Sequence, residues 1–421
     1  MKTKAVRLYG VNDLRLEEFE LPEIRDDEIL ARVVSDSICM SSHKLAVQGG
    51  KHKRVREDLE KMQPIIGHEF CGLIEKVGSK WKGKFKSGDK FAIQPALNYP
   101  GPDGLSVLWA PGYSFAYIGG NATLIIIPKE VMEMDCLLEY SGDNFFMGSL
   151  AEPVSCIAGA FHAQYHMPEG AHSMGIAEGG SLALLAGAGP MGLCAIDYAI
   201  HNPRKPSRLV VSDIDERRLE RAAQLLPVEE ARRCGVELHY VNVKETEAPE
   251  ETLRALNGGK LFDDIFIFAP VKAVVEMGGR LLGRDGCLNF FAGPTDPTFS
   301  ANINFYNVHY ESHHIVGTSG GSTDDMKESL SMMTRRLVNP VFMVTHIGGL
   351  DCAAGTTLEL DKIPGGKKLI YTHKKLPLTA IDDFEKLGKT NPFFAKLAEI
   401  CHGNLWNADA ERYLLENAPD I

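Results

Sequence analysis

The chain has 421 residues, 44% of them hydrophobic, enough to fill more than one core and to make a multidomain globular protein the default. A formal net charge of −11 opposes a general affinity for nucleic acid or anionic membrane, both of which need a basic face, so any phosphate site is local. Nine cysteines with no C-x-x-C pair argue against a secreted disulfide framework and for a reducing cytoplasm.

The first residues, from Met1 to Arg7, run into alternating polar and apolar positions rather than the apolar core of a signal peptide. Residues 1–155 read as short strands parted by Gly, Pro and Asp turns, for example 29–34 and 72–78, which predicts a mainly β, barrel-like domain. Ser37-Ile38-Cys39-Met40-Ser41-Ser42-His43 presents a thiol, hydroxyls and an imidazole, and Gly67-His68-Glu69 follows after a loop. Glu152 stands just before the expected domain junction, where clefts usually hold ligands. A thiolate, an imidazole and a carboxylate suit zinc and leave one position open, the mark of a catalytic rather than a structural ion. Taken singly, each of these residues reads more readily as core. Between the clusters, Lys44, Lys51, His52, Lys53, Arg54 and Arg56 form the densest basic run. Lys44, Lys51 and Arg54 are candidates for holding a substrate phosphate, against the plainer reading of a solvated loop.

From Ser181 the texture changes. An apolar strand over 182–186 leads into Gly187-Ala188-Gly189-Pro190-Met191-Gly192, which matches G-x-G-x-x-G between a strand and a helix. Twenty-one residues after Gly192, a second strand ends at Asp213, where a carboxylate can bond both ribose hydroxyls. Gly187, Gly189, Pro190, Met191, Gly192 and Asp213 are therefore the expected dinucleotide contacts, with Arg218 beside them. The acid at 213 favours NAD(H), while Arg217 and Arg218 leave NADP(H) open. Strands at 264–268, 287–291 and 315–317 alternate with helices at 271–282 and 324–337, which predicts a doubly wound parallel sheet over 156–339. The longest apolar run, 182–196, is broken by glycines and falls short of the ~20 residues of a spanning helix, so no membrane segment is expected. His309, His313 and His314 read as structural or interfacial. After Pro340, β patterning over 341–347 and 367–371 is expected to rejoin the first domain, and 374–421 is a polar tail with helical spacing.

The order Cys39, His68-Glu69, Glu152 and then the glycine motif resembles the medium-chain dehydrogenase/reductase superfamily over residues 1–372, and within it the zinc-dependent polyol branch. The resemblance implies a GroES-like catalytic domain, a Rossmann domain and a homodimer or homotetramer. It also implies one catalytic zinc held by Cys39, His68 and either Glu69 or Glu152. It makes Ser41 the hydroxyl that hands the substrate proton toward solvent, with His43 extending that relay or lining the pocket. A second, four-cysteine zinc lobe is expected to be absent, because 94–120 contains no cysteine. The sequence around Cys39, the insertion over 48–63 and the long tail are similar to the sorbose-1-phosphate reductase group, which implies reduction of L-sorbose 1-phosphate to a hexitol phosphate. A general polyol dehydrogenase acting on free sugars and a zinc-free reductase are the alternatives; the second is opposed by Cys39, His68 and Glu152. A nucleotide sensor without chemistry is opposed by Ser41.

Overall fold

The computed structural model describes residues 1–97 and 108–421. The chain forms two compact units: Met1–Glu152 with Ser322–Leu330 and Val344–Ile421, and Pro153–Gly321 with Ser331–Met343. Residues 322–330, expected with the dinucleotide sheet, thus cluster with the first unit.

The first unit is built on an eight-stranded sheet. Its central strand, Ile29–Ile38, is buried everywhere except Arg32, which explains its near-continuous apolar and small-residue sequence. Phe70–Val77 and Leu124–Ile127 pair with it antiparallel, and so does Lys367–Tyr371 from the far end of the chain, with Leu369 opposite Ser37. The chain from Val344 onward clusters with the first unit, whereas Pro340–Met343 is a short helical turn of the second, and the strand is Val344–Gly349. The tail folds into helices Phe384–Gly388, Pro392–Ile400 and Ala408–Asn417, with Trp406 only 1% exposed. One expectation fails here. The stretch before residue 155, expected to be strand and turn, is the helix Phe146–His162, which runs on through Pro153 despite the amide that proline lacks.

The second unit holds a six-stranded, all-parallel sheet in the order Glu237–Asn242, Arg208–Asp213, Ser181–Leu185, Phe262–Ile267, Leu282–Phe290 and His314–Gly317. The chain winds outward from Ser181–Leu185 on one side and then returns to Phe262–Ile267 on the other, so strand order reverses at the carboxyl end of Ser181–Leu185. The glycine motif follows that end. All nine cysteines are free thiols, and among the described residues no helix is long and apolar enough to cross a membrane.

Candidate active site

Cys39 ends the central strand and is the N-terminal cap of the helix Met40–Gln48. That junction turns its sulfur toward the first-turn hydroxyls: Ser41 Oγ donates to Cys39 Sγ at 3.1 Å and lies 3.1 Å from His68 Nε2. Ser42 Oγ lies 3.3 Å from His68 Nδ1. Gly67 makes the turn that presents His68 and Glu69. Its φ is +92°, and a Cβ there would stand 2.3 Å from Asn121 Nδ2, so only glycine fits.

Cys39, His68 and Glu69 bring one sulfur, one imidazole nitrogen and one carboxylate oxygen within 4.8 Å of one another. No other such group occurs among the described residues. The lobe in which a second zinc was not expected includes residues 98–107, which lie outside the described residues. Glu69 is 1% exposed and its Oε2 has no hydrogen-bond partner among the described residues, an orphaned acceptor of the kind a cation satisfies. Burial pushes the His68 imidazole down, toward the neutral form a metal needs. Burial pushes the Cys39 thiol up, against the pull of the Lys367 ammonium. Glu152 lies outside the tight trio but inside its field: burial, then repulsion from Glu69, raises it to about 7. The donor set fits zinc.

Two residues of this site had no place in the sequence reading. Lys367, 6% exposed, donates to Glu69 Oε1. Burial works to lower its ammonium, but the anions at Cys39 and Glu69 outweigh it and the group is pulled up. The signal was present in two adjacent lysines at the start of an apolar strand, which cannot be buried without partners. Lys368 answers that requirement differently, donating to the Gly366 carbonyl at 2.6 Å. Tyr113 offered no signal. Its hydroxyl lies 3.2 Å from His68 Nε2 and its ring packs 4.8 Å from the His68 ring.

Around Tyr113 the basic run comes to the site. His52 stacks on the Tyr113 ring at 5.7 Å, and the Arg54 guanidinium carbon lies 5.5 Å from its centroid. Burial, and then the charges of Arg54 and Lys53, drive the His52 imidazole down to about 4. Burial also lowers Lys44, partly offset by the charge of Cys39. No carboxylate pairs with Arg54 among the described residues, whereas Arg56 is fully engaged by both oxygens of Asp58. Lys51 is exposed in the loop. His43 turns from the trio: its Nδ1 lies 2.9 Å from the Thr357 carbonyl and its Nε2 is 3.9 Å from the half-exposed Asp361.

In the second unit, Gly187 to Gly192 form the turn between the strand Ser181–Leu185 and the helix Pro190–His201, with Gly189 as cap and Pro190 and Met191 in the first turn. A Cβ on Gly192 would stand 1.9 Å from the Gly187 carbonyl oxygen, so the turn closes only around glycine. The Asp213 carboxylate is 5% exposed and accepts from the Ala188 amide at 3.1 Å and the Ile214 amide at 2.8 Å. It thereby ties the glycine turn to the end of the neighbouring strand. Arg218 reaches over the turn, with Nη1 3.9 Å from where a Gly189 Cβ would stand. His314 pairs with Asp285 at 2.9 Å.

Comparison with known proteins agrees with this architecture. Residues 25–135 match the alcohol dehydrogenase GroES-like domain, and residues 190–335 match the zinc-binding dehydrogenase domain. The chain is 50% identical to L-sorbose 1-phosphate reductase of Klebsiella pneumoniae over 100% of its own length and 98% of the relative. It is 52% identical to mannitol-1-phosphate 5-dehydrogenase of Aliivibrio fischeri, over 99% of this chain and 98% of that one. The crystal structure of 2R,3R-butanediol dehydrogenase from Bacillus subtilis superposes with a TM-score of 0.68 at 18% identity, covering 88% of this chain and 99% of the other. The chain belongs to the zinc-binding alcohol dehydrogenase family of oxidoreductases, whose zinc and nicotinamide dinucleotide are its cofactors.

Proposed function

We propose that this chain reduces the ketone of L-sorbose 1-phosphate to glucitol 6-phosphate with NAD(P)H, the ketone carbon taking the hydride and the oxygen a proton. The observation that carries this reading is Tyr113: it touches His68 on the one hand and His52 and Arg54 on the other. One aromatic ring separates the metal ligands from the Arg54 guanidinium, which donates to the Leu108 carbonyl and pairs with no carboxylate among the described residues. In a 2-ketose 1-phosphate the phosphate sits one carbon from the reacting carbonyl, and that short spacing matches. In a mannitol 1-phosphate oxidised at carbon 5 it sits four carbons away. The 52% identity to a mannitol-1-phosphate 5-dehydrogenase favours that substrate as the second reading.

Cys39 and His68 would hold the zinc with Glu69 or Glu152, and zinc supplies Lewis-acid polarisation of the substrate oxygen. Ser41 stands within hydrogen-bond distance of both Cys39 and His68, so its hydroxyl is positioned to give a proton to an oxygen held there. His43 is read as the solvent-side end of that relay. The Lys367 ammonium pairs with Glu69, and its charge pulls against the burial that raises the Cys39 thiol. Gly187, Gly189, Pro190, Met191 and Gly192 would receive the pyrophosphate, and Asp213 the ribose hydroxyls, with Arg218 the contact that would admit a 2′-phosphate. Lys44, Lys51 and Arg54 would hold the substrate phosphate. We read the protein as a cytoplasmic homodimer or homotetramer, a reading supported by the exposed Phe305, Tyr306 and Tyr310 near the edge strand His314–Gly317.

The experiment is a comparison of steady-state rates on sorbose 1-phosphate, mannitol 1-phosphate and free ketohexoses, with both NADH and NADPH, on metal-analysed protein. Highest kcat/KM on sorbose 1-phosphate is expected. A preference for mannitol 1-phosphate supports the second reading, and equal turnover of free sugars overturns both.

A further inference from the structure

Glu411 lies in the C-terminal helix Ala408–Asn417 and is 2% exposed, yet no step above uses it. Its carboxylate accepts from the Phe145 amide at 2.6 Å and the Phe146 amide at 2.9 Å. These amides open the helix Phe146–His162, whose own first turn contains no acid. A helix start leaves N–H groups without partners and favours an anion, and here the tail supplies it. The same oxygen that accepts from Phe146 also accepts from the Tyr371 hydroxyl at 3.0 Å, which in turn receives the Trp406 indole N–H at 2.7 Å.

The two elements tied together in this way are the ones that carry Glu152 and Lys367. Glu152 lies on the helix Phe146–His162, and Lys367 begins the strand Lys367–Tyr371. Ser149, three positions before Glu152, donates to the Ser35 carbonyl at 2.9 Å, on the strand that leads to Cys39. A buried carboxyl group is costly unless donors face its oxygens, and three donors face these.

We propose that Glu411 is a positioning residue for the metal centre, fixing the helix of Glu152 and the strand of Lys367 against the strand of Cys39. The tail is then part of the support of the active site. This rests on the reading of Cys39, His68, Glu69 and Glu152 as the metal site.

The test uses the full-length protein loaded with cobalt(II), whose visible absorption reports ligand geometry, and with zinc. Glu411→Gln keeps the side chain's size but presents an NH₂ group where an oxygen accepted. It is expected to alter the cobalt spectrum, to weaken metal retention about tenfold and to lower kcat about tenfold, while KM for the dinucleotide holds. Glu411→Asp is expected to restore the spectrum in part. Leu414→Ala thins the core face of the same helix without touching the carboxylate, and is expected to lower Tm and leave the spectrum unchanged. An unaltered spectrum and kcat in Glu411→Gln overturns the proposal, as does an equal change in Leu414→Ala. If wild type takes up no cobalt, or Cys39→Ser binds it as well as wild type, the metal-site reading itself falls and takes the proposal with it, a result distinct from the other two.

Discussion

The Lys367 ammonium donates to one oxygen of Glu69 in a pair withdrawn from water, and the other Glu69 oxygen has no partner among the described residues. Lys367→Met leaves the Glu69 charge buried and unopposed, which costs about 3–5 kcal/mol of stability. It also removes the cation that holds the Cys39 thiol down, so metal uptake should move to higher pH. Chemical denaturation and zinc uptake measured against pH check both effects. A stability loss under about 1 kcal/mol would mean that water already reaches the pair.

Arg54→Ala removes the guanidinium beside Tyr113 that no carboxylate among the described residues neutralises. The ratio of kcat/KM for sorbose 1-phosphate to that for free sorbose should fall roughly tenfold to a hundredfold, the worth of a charge-assisted phosphate contact. Arg56→Ala, which breaks only the pairing with Asp58, should leave the ratio near wild type. If the two variants shift it equally, the cluster acts as loop structure and not as a phosphate site.

Asp213→Ala deletes a carboxylate that would bond the cofactor ribose and that already ties the Ala188 and Ile214 amides. KM for NADH should rise about tenfold or more, and that for NADPH less, since the lost acid no longer repels a 2′-phosphate. An equal loss with both cofactors would assign Asp213 to the turn alone.

Burial pushes the Glu411 carboxyl up to about 7 from its usual 4.5, against the pull of the Phe145 and Phe146 amides, Tyr371 and Lys90. Between those two values the folded chain keeps a proton that the unfolded chain releases. Stability from this group is therefore present at low pH and is lost as pH rises from 4.5 to about 7, a loss of roughly 3 kcal/mol. Cys71, Tyr140 and Tyr371, which face it, are all pushed up and keep their protons throughout that window. Glu411→Gln should flatten the slope of stability against pH. An unchanged slope would assign it to other carboxyls.

Where chemistry is local, the sequence was readable. The glycines at 187, 189 and 192 and the acid at 213 lie on one strand-turn-helix-strand stretch, and their spacing follows from that unit alone. Cys39 and His68 could be paired only through the resemblance to the zinc-dependent dehydrogenases, since each alone reads more readily as core. Lys367 and Glu411 reach the site from the far end of the chain, and no periodicity connects residue 367 to 69 or 411 to 145. The helix through Pro153 was missed because its stability lies in packing and a distant cap, while the local proline argues for a break. The outer strand Glu237–Asn242 was missed because Glu237, His239, Tyr240 and Asn242 make it read as polar.

The central sheet of the first unit also constrains how the protein is made. Its middle strand, Ile29–Ile38, leaves the ribosome early, but one of its neighbours, Lys367–Tyr371, and the Glu411 cap emerge only after the whole second unit has been synthesised. Until then the 35–38 end of that strand, which Leu124–Ile127 does not cover, has an open edge, which is a hazard during vectorial synthesis. The second unit can complete its parallel sheet first, whereas the metal centre depends on a contact between residues 298 positions apart in the chain. Chaperone demand should therefore be concentrated on the amino-terminal half, and chains arrested before residue 367 should carry the intact dinucleotide motif without a completed zinc site.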